Sequence, residues 1–498
     1  MSAFGDAPVG DRAIREHVEV VIVGSGAAGA AAGRALARAG ARVLVLEEGP
    51  QVAPEGFVAD SFGAMAQLYR DAGAAVARGP LLIPIIQGRC VGGSTVFNGA
   101  ICWRLPRDVW ERWCAADPAL AEALPFDAIE RALDEIERDL GVAPTDPAIA
   151  GRKNDLMARG AAALGLEGRP IRRNVRGCEG LGRCLQGCPR GHKRSMDASF
   201  LPEARAAGAR LFAGCRVDRV LTRAGRAVGV RGVTAWGGRF EVEATRAVVL
   251  AASAVQTPSL LRRSDILHGP VGDGFCAHPG VSVGGRFDEP VRMWEGATQG
   301  YEVIGLRGEG LKFEALGFGA EILAMRLPGV GAELARGVAT LEQWAEWGAA
   351  VRAEARGTVR PSRAGSTVRY ALGDGDLAKV RRGVRVLGEL LFAAGAREVS
   401  IGVHGWPERI ADPSALARFE ADGPRDARAY AMAVTHMFGT CRMGSDPRTS
   451  VVRPDFRHHA VDALFVADSS VFPSNTGVNP QNAILALATL CAGRVAAR

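Results

Sequence analysis

The strongest pattern of apolar and polar positions lies near the start of the chain. His17-Val-Glu-Val-Val-Ile-Val23 is a β-branched run that meets Gly24-Ser25-Gly26-Ala27-Ala28-Gly29. An alanine-rich stretch of helical composition follows to Gly40, and Ala41-Arg-Val-Leu-Val-Leu-Glu47 reads as a second buried strand. The pattern predicts a complete β-α-β unit of about 30 residues, the setting in which a Gly-x-Gly-x-x-Gly turn binds a dinucleotide. Gly24 permits the tight turn, Gly26 lets a pyrophosphate approach the backbone, and Gly29 lets the helix pack against the strand. Ala27 and Ala28 open the helix, whose free amides and positive dipole end face the phosphates. Glu47 ends the second strand, where an acid binds ribose hydroxyls. The motif leaves NAD and FAD equally open.

Further along, Phe212–Val220, Gly229–Thr234 and Arg246–Ala251 read as later strands of the same unit. Near the end, Ala463–Ala467 is a short buried strand closed by Asp468, again an acid at a strand end where ribose or ribityl hydroxyls bind. An apolar helix then runs to about Arg494. The middle is rich in β-type runs (Val281–Phe287, Gly300–Ile304, Leu311–Leu316, Ser366–Tyr370, Val399–Val403), interrupted by helical patterns near 332–355 and 376–394. The expected fold is α/β: a Rossmann-like cofactor domain assembled from residues 14–60, 85–105, 195–280 and 436–498. A substrate domain with a mixed β-sheet and helices would take 61–84, 106–194 and 281–435.

Composition narrows the function without naming it. The 498 residues are 48% hydrophobic and 23% charged, which argues against disorder and against a coiled coil. The net charge of +7 is spread along the chain with no basic block, so nucleic acid is not an expected partner. No apolar run is long enough to span a bilayer. The first seventeen residues have mixed charge and no apolar stretch, so a cytoplasmic location is expected unless a partner subunit carries the chain elsewhere.

Gly88-Arg89-Cys90-Val91-Gly92-Gly93-Ser94-Thr95-Val96-Phe97-Asn98-Gly99 places two small-residue turns in an apolar stretch, where backbone can pass close to a ligand. Together with Ala252–Ile266, Val271-Gly272, His278-Pro279 and the tail from Thr435 to Gln481, this run resembles the glucose–methanol–choline (GMC) family of FAD-dependent oxidoreductases. The match departs at Ser253 and Asp265, where glycine is usual, and is loose from about 285 to 430. The resemblance implies FAD, bordered also by Arg89, Gly92, Gly93, Ser94, Asn98, Val217 and Asp468, with Asn479 near the flavin. Some relatives attach FAD through a histidine at the position of Phe97; a phenyl ring cannot form that bond, so non-covalent FAD is expected. The resemblance further implies oxidation of an alcohol at His436 and Asn479, with oxygen or another electron acceptor restoring the flavin.

The chemistry of those two residues agrees. An alcohol needs a base on its hydroxyl as hydride leaves the carbon, and histidine is suited to this near neutrality. An Asn amide orients the oxygen without titrating. His278 is expected to support the fold, and His404, His458 and His459 fall outside any motif. Met293, Trp294, Phe313 and Met325 are candidates for either a pocket wall or core, and with no basic cluster nearby an apolar or amphipathic alcohol is favoured. A lyase or decarboxylase on the same fold, and a non-catalytic flavoprotein subunit, are the competing readings.

Cys178, Cys184 and Cys188 stand among glycines with five and three residues between them, ahead of Pro189. Three thiolates suffice for a [3Fe-4S] cluster, as in the bacterial FAD-dependent sugar dehydrogenases this stretch is similar to. Such a centre would imply a dehydrogenase acting on a sugar or polyol with an electron-transfer subunit. A zinc site with His192 as fourth ligand and a metal-free loop are the alternatives.

Overall fold

The computed structural model describes residues 5–10, 13–363 and 365–498. Two sheets organise it. The first has seven strands among the described residues, with Ile14–Val23 at its centre between Val43–Leu46 and Arg239–Leu250, both parallel to it. Every residue of Val43–Leu46 is buried, as are Val20–Val23, which is why both read as unbroken apolar runs. The helix between them, Ala27–Arg38, packs closely because its inner face is alanine and glycine; a Cβ on Gly33 would already touch Val45. Arg239–Leu250 pairs antiparallel with Arg226–Thr234 along its first part, and its last three residues pair with Leu464–Val466. That tail strand thus joins the sheet from more than two hundred residues away.

The second sheet turns on one long strand, Asp273–Arg286. It pairs with Trp344–Val351, Gly357–Ser362, Glu398–Ser400 and Ala433–Phe438, all antiparallel. The helix Asp374–Ala393 buries its apolar stripe of Leu377, Val380, Val384, Leu387 and Leu391 against this sheet. The helix expected over 332–355 is only partly present. Ala332–Ala339 is helical, but Trp344–Val351 is a strand wedged between Asp273–Arg286 and Leu311–Ala315. Burial of Trp344 and Trp347 and two flanking ladders outweigh the helical preference of its alanines. Likewise, Phe212–Val220 divides at Ala213-Gly214 into two strands, Arg210–Phe212 and Cys215–Arg223.

Ser253 and Asp265, which stand where glycine is usual, keep the glycine geometry, with φ of +91° and +60°. Such backbone costs an L-residue about 1–3 kcal/mol. At Ser253 the hydroxyl offsets part of this by accepting from the amides of Val255 and Gln256 at the start of the helix Ser253–Arg263.

Candidate functional site

A cavity of about 1350 Å³ runs from the ends of the first sheet to the face of the second. Its first end is a backbone cradle. Gly24, Ser25, Gly26, Ala27 and Ala28 line it, and the helix begins at Gly26 without a side-chain cap, leaving its first amides to the cavity. A Cβ on Gly26 would find only the Gly93 Cα, 3.9 Å away, so the space in front of this turn is open. Gly29 works differently: a Cβ there would lie 1.8 Å from the Gly24 carbonyl oxygen, so it packs behind the turn rather than facing the cavity. Glu47 lines the cavity, with its carboxylate accepting from Ser25 Oγ (2.7 Å), Ser25 N (3.1 Å) and Gly49 N (2.9 Å). Burial raises its pKa.

Arg89, Gly93, Ser94, Asn98, Val217 and Asp468 also line the cavity. Gly92 lies behind the wall, and its amide donates to Ser25 Oγ at 3.1 Å. Asp468 accepts from Thr257 Oγ1, Ser253 N and Ser470 N, so its carboxylate also ties the tail to the helix after the first sheet. An uncapped helix start, two facing glycines and a carboxylate at the neighbouring strand end suit a dinucleotide.

The other end is polar and built from side chains. His436 comes from the strand Ala433–Phe438, directly opposite His278 in the antiparallel register with Asp273–Arg286. Their Nδ1 atoms are 3.2 Å apart, and His278 Nε2 accepts from the Gly477 amide at 2.9 Å. A backbone N–H only donates, so the neutral His278 carries its proton on Nδ1 and directs it at His436. The resting His436 therefore keeps its own proton on Nε2. Burial, and then the Lys312 ammonium, push the His436 pKa down to about 3, and His278 is also held well below its usual value by burial and by His436. Both rings are neutral at working pH.

Asn479 also lines this end, and its Oδ1 accepts from Lys312 Nζ at 2.9 Å. Lys312 is fully buried and also pairs with Glu302 (2.8 Å) and Glu314. The sequence reading missed this cluster and the contact of His278 with His436. The signal was present in Leu311-Lys312-Phe313-Glu314-Ala315: a strand buried along its whole length that carries two charges on one face. Phe313 and Met293 are core, Met325 is exposed, and neither these nor Trp294 line the cavity.

The iron–sulfur and zinc expectations are not supported. Among the described residues, no three Cys, His, Asp or Glu side chains come together as metal ligands. Instead the buried Arg173 guanidinium reaches both Cys184 Sγ (3.1 Å) and Cys178 Sγ (3.9 Å), and Lys193 and Lys153 are buried nearby. Thiolates round an iron cluster must converge on it, and here Cys178 and Cys184 face a guanidinium instead. Burial acts to raise the Cys184 pKa, but Arg173 and Lys193 outweigh it and lower the thiol.

Among the described residues no helix is long and apolar enough to cross a membrane. The chain matches family profiles described as GMC oxidoreductase over residues 65–280 and 353–488, and a Rossmann-like NAD(P)-binding profile over 22–57. It is 40% identical over 485 residues to an uncharacterized GMC-type oxidoreductase of Mycobacterium tuberculosis, covering 97% of this chain and 76% of that one. A long-chain-alcohol oxidase of Arabidopsis thaliana is 27% identical, covering 96% and 68%. The crystal structure of pyridoxine 4-oxidase from Mesorbium loti superposes with a TM-score of 0.70 at 20% identity, over 96% and 98% of the two chains. The profiles, the 40% relative and the shared architecture agree: the chain belongs to the GMC oxidoreductases, a family that implies FAD.

Proposed function

We propose that this chain oxidises an apolar or amphipathic alcohol to a carbonyl compound, with His436 taking the hydroxyl proton and Asn479 holding the oxygen. FAD, bound non-covalently, supplies the acceptor for the hydride. The observation that carries this reading is the single cavity joining the glycine cradle to His436 and Asn479. Gly24, Gly26, Ala27, Ala28 and Glu47 would hold the dinucleotide, with Arg89, Gly93, Ser94, Asn98, Val217 and Asp468 along its path. Phe97 offers only carbon at the position some relatives use for attachment; its ring stacks on Tyr69, with centroids 3.8 Å apart.

His436 enters the reaction neutral, as a base must. In the resting tautomer its free lone pair is on Nδ1, so opening of the His278 hydrogen bond frees that nitrogen to take the hydroxyl proton. One such bond contributes about 0.5–1.5 kcal/mol net, and an arriving hydroxyl offers a replacement partner. Asn479, whose oxygen faces Lys312, turns its NH₂ toward the substrate oxygen and stabilises the charge that develops there. Leu81, Leu82, Ile86, Phe318 and Ile322 give the cavity apolar walls, and the resemblance to long-chain-alcohol oxidases supports the same substrate class. Anaerobic mixing with primary alcohols of increasing chain length tests this. Bleaching of the flavin that speeds with chain length is expected, and a flavin that no alcohol bleaches overturns the reading.

A further inference from the structure

Lys312 has an ammonium with three donors and makes three contacts: Glu302 Oε2, Glu314 Oε1 and Asn479 Oδ1. Both carboxylates are themselves held. Glu302 accepts from Trp103 Nε1 (2.7 Å) and Arg169 Nε (2.9 Å), and Glu314 accepts from Gln299 Nε2 (2.6 Å). The ammonium is thus fixed from two sides, and the third donor can only meet an acceptor. If the Asn479 amide turned over, its NH₂ would face the ammonium, donor against donor. Lys312 and Glu302 are each 1% exposed, so the ammonium has no solvent of its own to relieve that clash.

We infer that Lys312 is a positioning residue for the proposed alcohol oxidation: it commits the Asn479 amide to present its NH₂, and never its oxygen, to the substrate. The inference rests on the reading of the site given above. It assigns a purpose to a buried charge cluster in the part of the chain where the family resemblance is weakest. It also explains an economy of the site, since an asparagine free to flip would accept from the hydroxyl as often as it donates. Only the donating orientation holds the oxygen while its proton leaves.

A double-mutant cycle on flavin reduction tests this, with Lys312→Met and Asn479→Ala made singly and together. Lys312→Met is expected to lower the limiting rate of reduction at least about tenfold, the scale of one oriented hydrogen bond to a charged group. The dissociation constant of a long-chain alcohol, set by its tail, is expected to move less than about threefold. In the Asn479→Ala background the same substitution should change the rate by less than about threefold, because its target is already gone. Equal losses in the two backgrounds, or no loss with Asn479 present, overturn the assignment. Should Lys312→Met alone fail to retain flavin, Lys312→Met with Glu314→Gln removes one charge of each sign and is compared with Glu314→Gln in the same cycle. Failure of the alcohol reading has a different signature, namely a wild-type flavin that no alcohol bleaches.

Discussion

Between Val23 and Glu47 the cavity wall is mostly backbone; around His436 it is mostly side chain. The first region comes from 25 consecutive residues and turns backbone amides, made accessible by glycine, toward the cavity. The second gathers groups from four separated stretches of chain: His278, Glu302 with Lys312 and Glu314, His436, and Gly477 with Asn479. Backbone sites tolerate many side chains but not a misplaced Cβ. Side-chain sites tolerate the backbone around them but depend on each hydrogen bond in the chain of partners.

The two glycines of the cradle sharpen that contrast first. Gly29→Ala puts a Cβ 1.8 Å from a backbone oxygen, where nothing flexible can give way. It is expected to abolish soluble, folded flavoprotein, measured by expression and circular dichroism. Gly26→Val, whose Cβ meets nothing closer than 3.9 Å, should fold normally and lose FAD, because its methyl groups enter the cavity. A purified Gly26→Val protein with full flavin content breaks the backbone-cradle account.

At the other end, His436→Ala should keep its flavin and slow flavin reduction by at least ~100-fold, the lower range for loss of a general base. Stopped-flow absorbance measures this, and an unchanged rate removes His436 from the chemistry. His278→Asn should change the rate by no more than about tenfold, the scale of the one hydrogen bond it gives His436. A loss as large as that of His436→Ala would make the two rings one catalytic unit.

The smallest effect concerns acid. His278 and His458 are buried and His436 is half-buried, all three neutral, with pKa values of about 3 for His436, about 4 for His458 and well below normal for His278. The unfolded chain binds their protons near pH 6.5 and the folded chain far lower, so stability is complete above about pH 6.5 and declines as pH falls towards the folded values. Urea midpoints should decrease steadily from pH 7 to pH 4. In the same range the reduction rate should show no acid limb from His436, whose ring stays neutral.

What could be read from the sequence follows the same division. The cradle was legible because its chemistry depends on spacing within one β-α-β unit. The motif that carries His436 and Asn479 brings both to the cavity. Lys312 was not legible: a lysine in a β-rich stretch looks like a solvated residue until the fold closes two glutamates and an amide around it. The cysteines misled for the related reason that sequence spacing shows which thiols are near one another but not what stands between them. Arg173, ahead of the cluster in sequence, proves to be the group that Cys178 and Cys184 face. The strand Trp344–Val351 was hidden by alanines that prefer helix until two neighbouring strands claim them.

The pairing of His278 with His436 across two adjacent strands bears on how this enzyme could be re-engineered. Their separation is set by ladder register, which a change of loop length does not alter. The segment from Gly319 to Gln343, with two short helices and a 3₁₀ turn, contributes Gly319, Ile322 and Arg326 to the cavity but none of the strands that carry the two rings. Exchanging that segment between relatives would therefore change part of the cavity wall while the His278–His436 pairing is inherited intact.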